Sequence, residues 1–578
     1  MRIPEDGSKR EDKVIDVINQ CMRSAKQRRE RYDRRRRWFL WGNDSTMPVK
    51  FNRIRGHVDL VESFLFTPEH LMLGITMGSG DDETQKKMTE ALAIHLTNMM
   101  IDNSLGHTFG EAITWSLVFD TSFLKVGWNT ARKFPFAKIL DPSCFGVYDE
   151  SEPELGSQQA FCHTFLLPAS EAYQRLKSAG REKEFTQLSF TTSDSNGRND
   201  SPLRSLIISS TAGPDLSSNL TGQVRTDYSL DTTYDPEPVS DMVRFNELWF
   251  WDDKSQDYAT IVSSASGVIF SDTREIVRDI ARTAAGADPK SWETRTNLFL
   301  PKKHPFIQIT PHPLFDYFWG ECHLERLIQL QAWTNLRLDQ ISDILERNVD
   351  PARSFVGFGG LTDEKAGNFG GPATWVLEDQ NSGAKIDEFK PEMPQDLFRE
   401  YDSIAKLFIE ASGLTETLTG KGQSGNNSRG QTRQLATTGS GRIKKTALKL
   451  EQPLAQFADL LLELTMRNDP TILTAGDGRK FVAEQIEGDM SIRVAGHSHS
   501  PLFADDTKEL AFALFKAGAI DKETLLRMTS PANVDNLVIK LRERMAMEAK
   551  MAASGITPPG TKEHDERNRS HHAKKPMA

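Results

Sequence analysis

Two stretches in the second half of the chain carry the clearest apolar rhythm. In CHLERLIQLQAWTNLRLDQISDILERN, residues 322–348, Leu324, Leu327, Leu338, Ile341 and Leu345 fall on one side of a helix, interrupted by Gln331 and Thr334. In MPQDLFREYDSIAKLFIEASG, residues 393–413, Leu397, Tyr401, Ile404, Phe408 and Ala411 recur at spacings of four and three. Asp350-Pro351 stops the first helix, because the residue before proline avoids the helical region. Gly413 ends the second, as a helix C-terminus prefers. Between them, FVGFGG, ATWVLED and AKIDEF predict short strands and turns.

The rest of the chain reads as a mixture. Residues 12–42 predict one helix, and 51–130 are mostly helical, with Ile54, Val58, Val61, Phe64 and Leu65 at helical spacing. Near Val118 the pattern turns strand-like, in SLVFDTSFLKVGWN. KFPFAKILDPSCFGVYDES and QQAFCHTFLL predict strands with a turn at Asp141-Pro142, and 168–178 a short helix. MVRFNELWFWDD and DYATIVSSASGVIFS predict a hairpin, and 273–298 is helical in part. A long helix is expected over 431–468, kinked by Gly439, Gly441 and Pro453. A small strand-rich piece at 470–497 follows, then DDTKELAFALFKAGAIDKETLLRM and NVDNLVIKLRERMAMEAKMA as helices joined by a Ser-Pro-Ala turn. Residues 185–240 are dominated by Ser, Thr, Asp, Asn and Pro and predict a long loop or insertion; 556–578 predict a disordered tail. The expected fold class is α+β, mainly helical.

Composition narrows the function more by exclusion than by assignment. No apolar run reaches the ~20 residues that a membrane helix needs, and the charged N-terminus MRIPEDGSKREDK has no signal-peptide pattern. Cys21, Cys144, Cys162 and Cys322 are scattered, which suits a reducing compartment. The adjacent pairs Cys162-His163 and Cys322-His323 lie too far apart in sequence for a zinc pattern and read as buried small hydrophobes. Gly420-Lys421 lacks the upstream glycine and leading strand of a phosphate loop, and GFGG at 357–360 fails the dinucleotide fingerprint. Asp81-Asp82, Asp252-Asp253 and Asp505-Asp506 read as caps in polar turns, and His497-Ser498-His499 as a strand end. No nucleophile elbow occurs. Neither an enzyme, a metal nor a cofactor is expected.

Charge distribution does change the picture. Net charge is −10, which argues against nucleic acid only if the cations are spread evenly. They are not. Nine of the fifteen residues from Arg23 to Arg37 are basic, which reads as a solvated face or subunit contact before a polyanion contact. From Thr417 through Leu450 there is no acid, whereas Lys421, Arg429, Arg433, Arg442, Lys444, Lys445 and Lys449 are present. Gly420, Gly422, Gly425 and Gly430 make the first part of that segment pliant. Such a segment contacts phosphates weakly and without reading bases.

The order of these parts resembles the portal proteins of tailed double-stranded DNA bacteriophages. HPFIQITPHPLFDYFWGECHLERLIQLQ, the helix–insert–helix of 322–413, the loop at 414–430, the long helix after it, KAGAIDKETLLRM and DPSCFGVYDES carry the likeness, over about 12–555. The resemblance implies a ring of about twelve copies at one capsid vertex. It implies a wing over 1–321, stem helices at 322–348 and 393–413, a clip at 349–392 and a tunnel loop at 414–430. A long kinked wing helix with a small β segment would fill 431–499, and a crown 500–555. Lys421, Arg429, Arg433, Arg442, Lys444 and Lys445 would then face DNA. Leu338, Ile341, Leu345, Leu397, Tyr401, Ile404 and Phe408 would form a stem seam between subunits. The implied partners are double-stranded DNA, the terminase large subunit, a head-to-tail adaptor, and the major capsid and scaffolding proteins. No membrane is expected. The implied location is the virion, after assembly in a bacterial host's cytoplasm, with roles in genome packaging, retention and ejection. Another structural virion protein such as a tail hub, or a carboxylate-dependent hydrolase, are the alternatives.

Overall fold

A computed structural model describes residues 3–4, 8–44, 51–68, 71, 73–77, 83–178, 190–191, 242–264, 268–283, 296–356, 374–377, 385–392, 394–414, 440–468, 472–474, 480–482, 490–494, 500, 504–529 and 534–553. Most of the 185–240 insertion, the tail at 556–578 and nearly all of 414–430 lie outside the described residues. The fold mixes helix and strand, with helix in excess.

The chain opens with α1 (Ser8–Cys21) and α2 (Ala25–Trp41), broken at 22–24 where one helix was expected. Next come α3 (Arg53–Leu65), β1 (Leu73–Met77), α4 (Glu83–Asp102) and α5 (Leu105–Phe119). β1 occupies a stretch expected to be helical. Its partner explains it: Leu73 to Met77 pair antiparallel with Val494 to Met490, more than four hundred residues away. Conversely, Ser116–Phe119, read as strand, closes α5; this last turn is buried on every side, which removes the polar positions that would mark a helical period.

β2 (Ser122–Asn129), β3 (Phe134–Leu140), β4 (Phe145–Val147), β5 (Ala160–Pro168), α6 (Ala169–Ser178), β6 (Phe190–Thr191), β7 (Met242–Asp252), β8 (Asp257–Ser264), β9 (Ile269–Asp272), α7 (Thr273–Thr283) and β10 (Phe306–Ile309) follow. They build a three-stranded sheet ordered β10-β2-β3 and a larger sheet ordered β4-β5-β7-β8-β9, with β6 beside β7. The expected hairpin is β7–β8, paired antiparallel from Phe245↔Ser264 to Asp252↔Asp257. Successive strand residues point to opposite faces. Leu248 and Phe250 therefore pack under Val14, Val17 and Ile18 of α1, while Trp249 joins Phe145, Phe161, Phe306, Phe318 and Trp319 on the other face. Both faces are covered, which is why LWFW is a continuous apolar run.

α8 (Glu325–Val349) leads to β11 (Ala352–Val356), β12 (Thr374–Leu377) and β13 (Lys385–Phe389), and α9 (Gln395–Ser412) returns. The small sheet is ordered β12-β11-β13, parallel on one side and antiparallel on the other. Helix–sheet–helix was legible, although GFGG at 357–360 lies outside the described residues. α8 and α9 pack together, with Arg337 Nη2 2.7 Å from the Glu400 carboxylate. Only their paired roots are embedded: Leu327, Ile328, Gln331 and Thr334 at the start of α8, and Ile404, Phe408, Ile409 and Ser412 toward the end of α9. The two helices run out from the core and back, and Val349 at the far end is 85% exposed.

α10 (Gly441–Asn468) threads the main core. Its Leu450, Leu454, Phe457, Leu461 and Leu464 meet Ile54, Val58, Val61 and Leu65 of α3 and Phe109, Ile113 and Leu117 of α5 in one apolar cluster. Phe109 stacks 5.8 Å from Phe457. Pro453 lies inside a helix that continues to Asn468, so packing overrides the backbone hydrogen bond that proline forfeits. β14 (Ile472–Thr474), β15 (Lys480–Val482) and β16 (Met490–Val494) are short strands, and α11 (Ala504–Lys516), α12 (Lys522–Thr529) and α13 (Val534–Ala553) end the described chain.

Candidate nucleic-acid and assembly surfaces

The arginine-rich α2 turns two of its cations, Arg28 and Arg35, fully inward, leaves Arg29, Arg36 and Arg37 half-buried, and exposes Lys26, Arg31 and Arg34. Arg28 is fully buried, with its guanidinium 3.7 Å from the Trp319 ring centroid, and Nη2 donates to the Phe145 carbonyl at 2.7 Å. Arg35 donates to the Asp120 carboxylate at 2.8 Å, to the Phe119 carbonyl at 2.9 Å and to Glu325 at 3.1 Å. Tyr32 donates to the other Asp120 oxygen at 3.0 Å. Arg36 reaches Asp141 at 3.8 Å, and Arg37 reaches Asp44 at 3.1 Å. The solvated-face reading holds for Lys26, Arg31 and Arg34, which are exposed, and not for the buried Arg28 and Arg35. Guanidinium planes that can bond carboxylates, carbonyls and aromatic faces at once tie α2 to the strand–turn region at 119–150 and to the root of α8. The missing sequence signal was the matching set of acids, Asp120, Asp141, Glu150 and Glu325, scattered over some two hundred residues.

The acid-free segment is described only from Ser440 onward. Lys421, Arg429, Arg433, Gly420, Gly422, Gly425 and Gly430 lie outside the described residues. Arg442, Lys444 and Lys445 sit in the first turns of α10. Ile443, Thr446, Ala447 and Leu450 take its buried face, which leaves Arg442, Lys445 and Lys449 on the exposed side at spacings of three and four, with Lys444 half-buried. Burial, and then the neighbouring Lys445, hold the Lys449 ammonium below its ordinary range. Cations at a helix N-terminus oppose the helix dipole, by ~0.3–1 kcal/mol each. The first turn of α10 contains no acid to offset them. An anion laid along this stripe would relieve the repulsion.

The predicted seam residues divide into two groups. Ile404 and Phe408 are buried inside the single chain: Phe408 belongs to the main core and packs at a tilt against His57, with ring centroids 4.7 Å apart. They are packing residues of the arm's root, already covered without a neighbour. Tyr401 is half-buried, its hydroxyl accepting from Arg53 at 2.7 Å. Leu338, Ile341 and Leu397 are half-buried, and Leu345 is exposed. Sequence reading missed Trp333, Leu336, Phe398 and Leu407, each about half exposed on the two helices. They fall off the seam drawn from the apolar repeat, so a one-stripe wheel hides them. Nine of the 23 large apolar side chains that stand exposed among the described residues belong to α8, α9 and the small sheet between them.

The cysteines are buried, as expected of small hydrophobes. Cys322 donates to the Val118 carbonyl at 2.9 Å, and burial pushes its thiol up to about 12. Asp252 caps its own turn, accepting from the Ser255 hydroxyl at 2.9 Å. Asp81-Asp82 and His497-Ser498-His499 lie outside the described residues. Among the described residues, no group of three His, Cys, Asp or Glu is placed to hold a metal ion, and no helix is long and apolar enough to cross a membrane. No protein-family model matches the chain, and no curated protein matches it.

Proposed function

We propose that the protein is a ring-forming conduit for double-stranded DNA. More narrowly, it is read as the portal protein of a tailed bacteriophage, through which the genome enters and leaves the capsid. The observation that carries this reading is the arm formed by α8, the small sheet and α9. It is anchored at one end only, and its outer length exposes Leu336, Leu345, Val349, Trp375, Phe389 and Phe398. Apolar surface on that scale, on a projecting arm, is the mark of a partner surface. Head-to-tail contacts between identical copies close into rings where the rotation from one copy to the next completes a circle.

The cationic stripe of Arg442, Lys445 and Lys449 supports the DNA half of the reading. A channel must hold its polymer loosely. A few cations that touch phosphate and read no base give weak, salt-screened contact. The stem, clip, tunnel-loop and crown assignments, the twelve copies, and the terminase, adaptor, capsid and scaffolding partners belong to this proposal. So do the absence of an enzymatic activity and the virion location. Native mass spectrometry and negative-stain images of the purified full chain test it. Closed rings with a central hole are expected. A protein that stays monomeric across concentration and salt overturns the reading.

A further inference from the structure

The segment from Pro311 to Gly320 ends in a tight reversal, with Leu314 and Tyr317 bridged across it. Its tip is apolar and fully in solvent: Phe315 is 99% exposed. The turn is firmly held. The Phe318 N–H donates to the Glu150 carbonyl and the Glu321 N–H to the His312 carbonyl, both at 2.8 Å. The Trp319 indole donates to the Glu150 carboxylate at 3.0 Å, and the Phe318 and Trp319 rings are buried in the aromatic cluster. Asp316, next to the tip, holds a left-handed backbone with φ of 47°. Buried anchors and a strained residue thus present one phenylalanine to solvent, a side chain ordered before any partner arrives.

A second surface of the chain has the matching chemistry. Phe51, ahead of α3, is half exposed. The Arg53 guanidinium lies 5.2 Å from its ring and 4.9 Å from that of Tyr401, and Arg55 is exposed two residues on. This is an aromatic platform with positive charge at its edge. The tip offers an aromatic ring followed by the exposed carboxylate of Asp316, which forms no ion pair among the described residues. At 99% exposure Phe315 does not rest on the platform of its own chain.

We infer that the Leu314–Phe315 tip of one copy seats on the Phe51–Arg53 platform of the next, with Asp316 facing Arg53 and Arg55. The contact rests on the ring reading and deepens it by naming a subunit joint outside the arm. Two different surfaces of one chain meet, so the contact is heterologous and repeats around a ring. The ring face meets ring face, and opposite charges set the register.

The test joins cysteine cross-linking to assembly. Phe51→Cys and Phe315→Cys are combined in the full chain and treated with a short bismaleimide; the four native cysteines are buried and do not compete. A covalent ladder rising to the full ring is expected, with no ladder from either single variant. Phe315→Ser is expected to keep the wild-type melting temperature, because the side chain packs on nothing in its own chain. Its rings should dissociate at a protein concentration at least tenfold higher than wild type. Asp316→Lys should weaken the ring in the same way, and adding Arg55→Asp should restore it. Wild-type rings combined with no ladder and an unaffected Phe315→Ser variant overturn this joint and leave the ring reading standing. A weakened Phe315→Ser ring without a ladder also overturns the pairing with Phe51, placing the tip on another surface. A wild-type chain that never leaves the monomer overturns both.

Discussion

Arg35 shows how much a single side chain carries here. It joins Asp120, Glu325 and the Phe119 carbonyl at the meeting point of α2, α5 and α8. Removing one member of a buried pair strands the other, at a cost of ~3–5 kcal/mol. Arg35→Ala should lower folding stability by about that amount in denaturant unfolding, whereas the exposed neighbour Arg31→Ala should change it by less than about 0.5 kcal/mol. His323 makes the complementary case. Its ring is buried with neither nitrogen bonded, and burial, followed by His312, Arg326 and His57, lowers it to about 3 from 6.5. The folded chain keeps this ring neutral while the unfolded chain protonates it. Stability is therefore unaffected by it above pH ~6.5 and falls as pH drops below that value, by up to ~1.4 kcal/mol per pH unit until about pH 3. His323→Gln should flatten the stability curve between pH 6 and 4. Neither residue's role could be read locally. Arg35 was one of nine cations in a polar run, and its two acids, Asp120 and Glu325, come from two distant parts of the chain.

At the level of elements, the arm and α10 carry the function proposed. Phe408→Ala should destabilise the isolated chain by ~3–5 kcal/mol, since it opens a cavity at the arm's root under His57. Leu336→Asp should leave the monomer's melting temperature unchanged and prevent ring formation, as followed by sedimentation. The contrast separates packing within the chain from packing between chains. Replacing Arg442, Lys445 and Lys449 together by Gln should weaken duplex binding equally for all sequences. The slope of log affinity against log salt should fall by about 2–3, at ~0.9 per phosphate contact. The two arm helices were legible because their period survives wherever they are half-buried. β1 was not, because a strand of five residues takes its identity from β16 across the fold. The break between α1 and α2 was equally hidden: the run is polar enough that no period marks where one helix stops.

For the whole molecule, deleting 418–430 should leave ring assembly intact and impair DNA packaging or retention, since the segment has little apolar content to pack. Rings scored by native mass spectrometry and packaged DNA scored by nuclease protection check this; loss of the ring on deletion would make the segment a subunit contact. By itself the sequence determined most of the succession of helices and strands, the helix–sheet–helix arm and the acid-free cationic segment, because each is written in local period, in Gly and Pro punctuation, or in charge. Only the tertiary structure decided which face of each element is covered. It turned Arg28 and Arg35 of α2 inward, committed Ile404 and Phe408 to the chain's own core, and left Phe315 standing in water. Burial depends on what arrives from distant parts of the chain, and no local pattern records that.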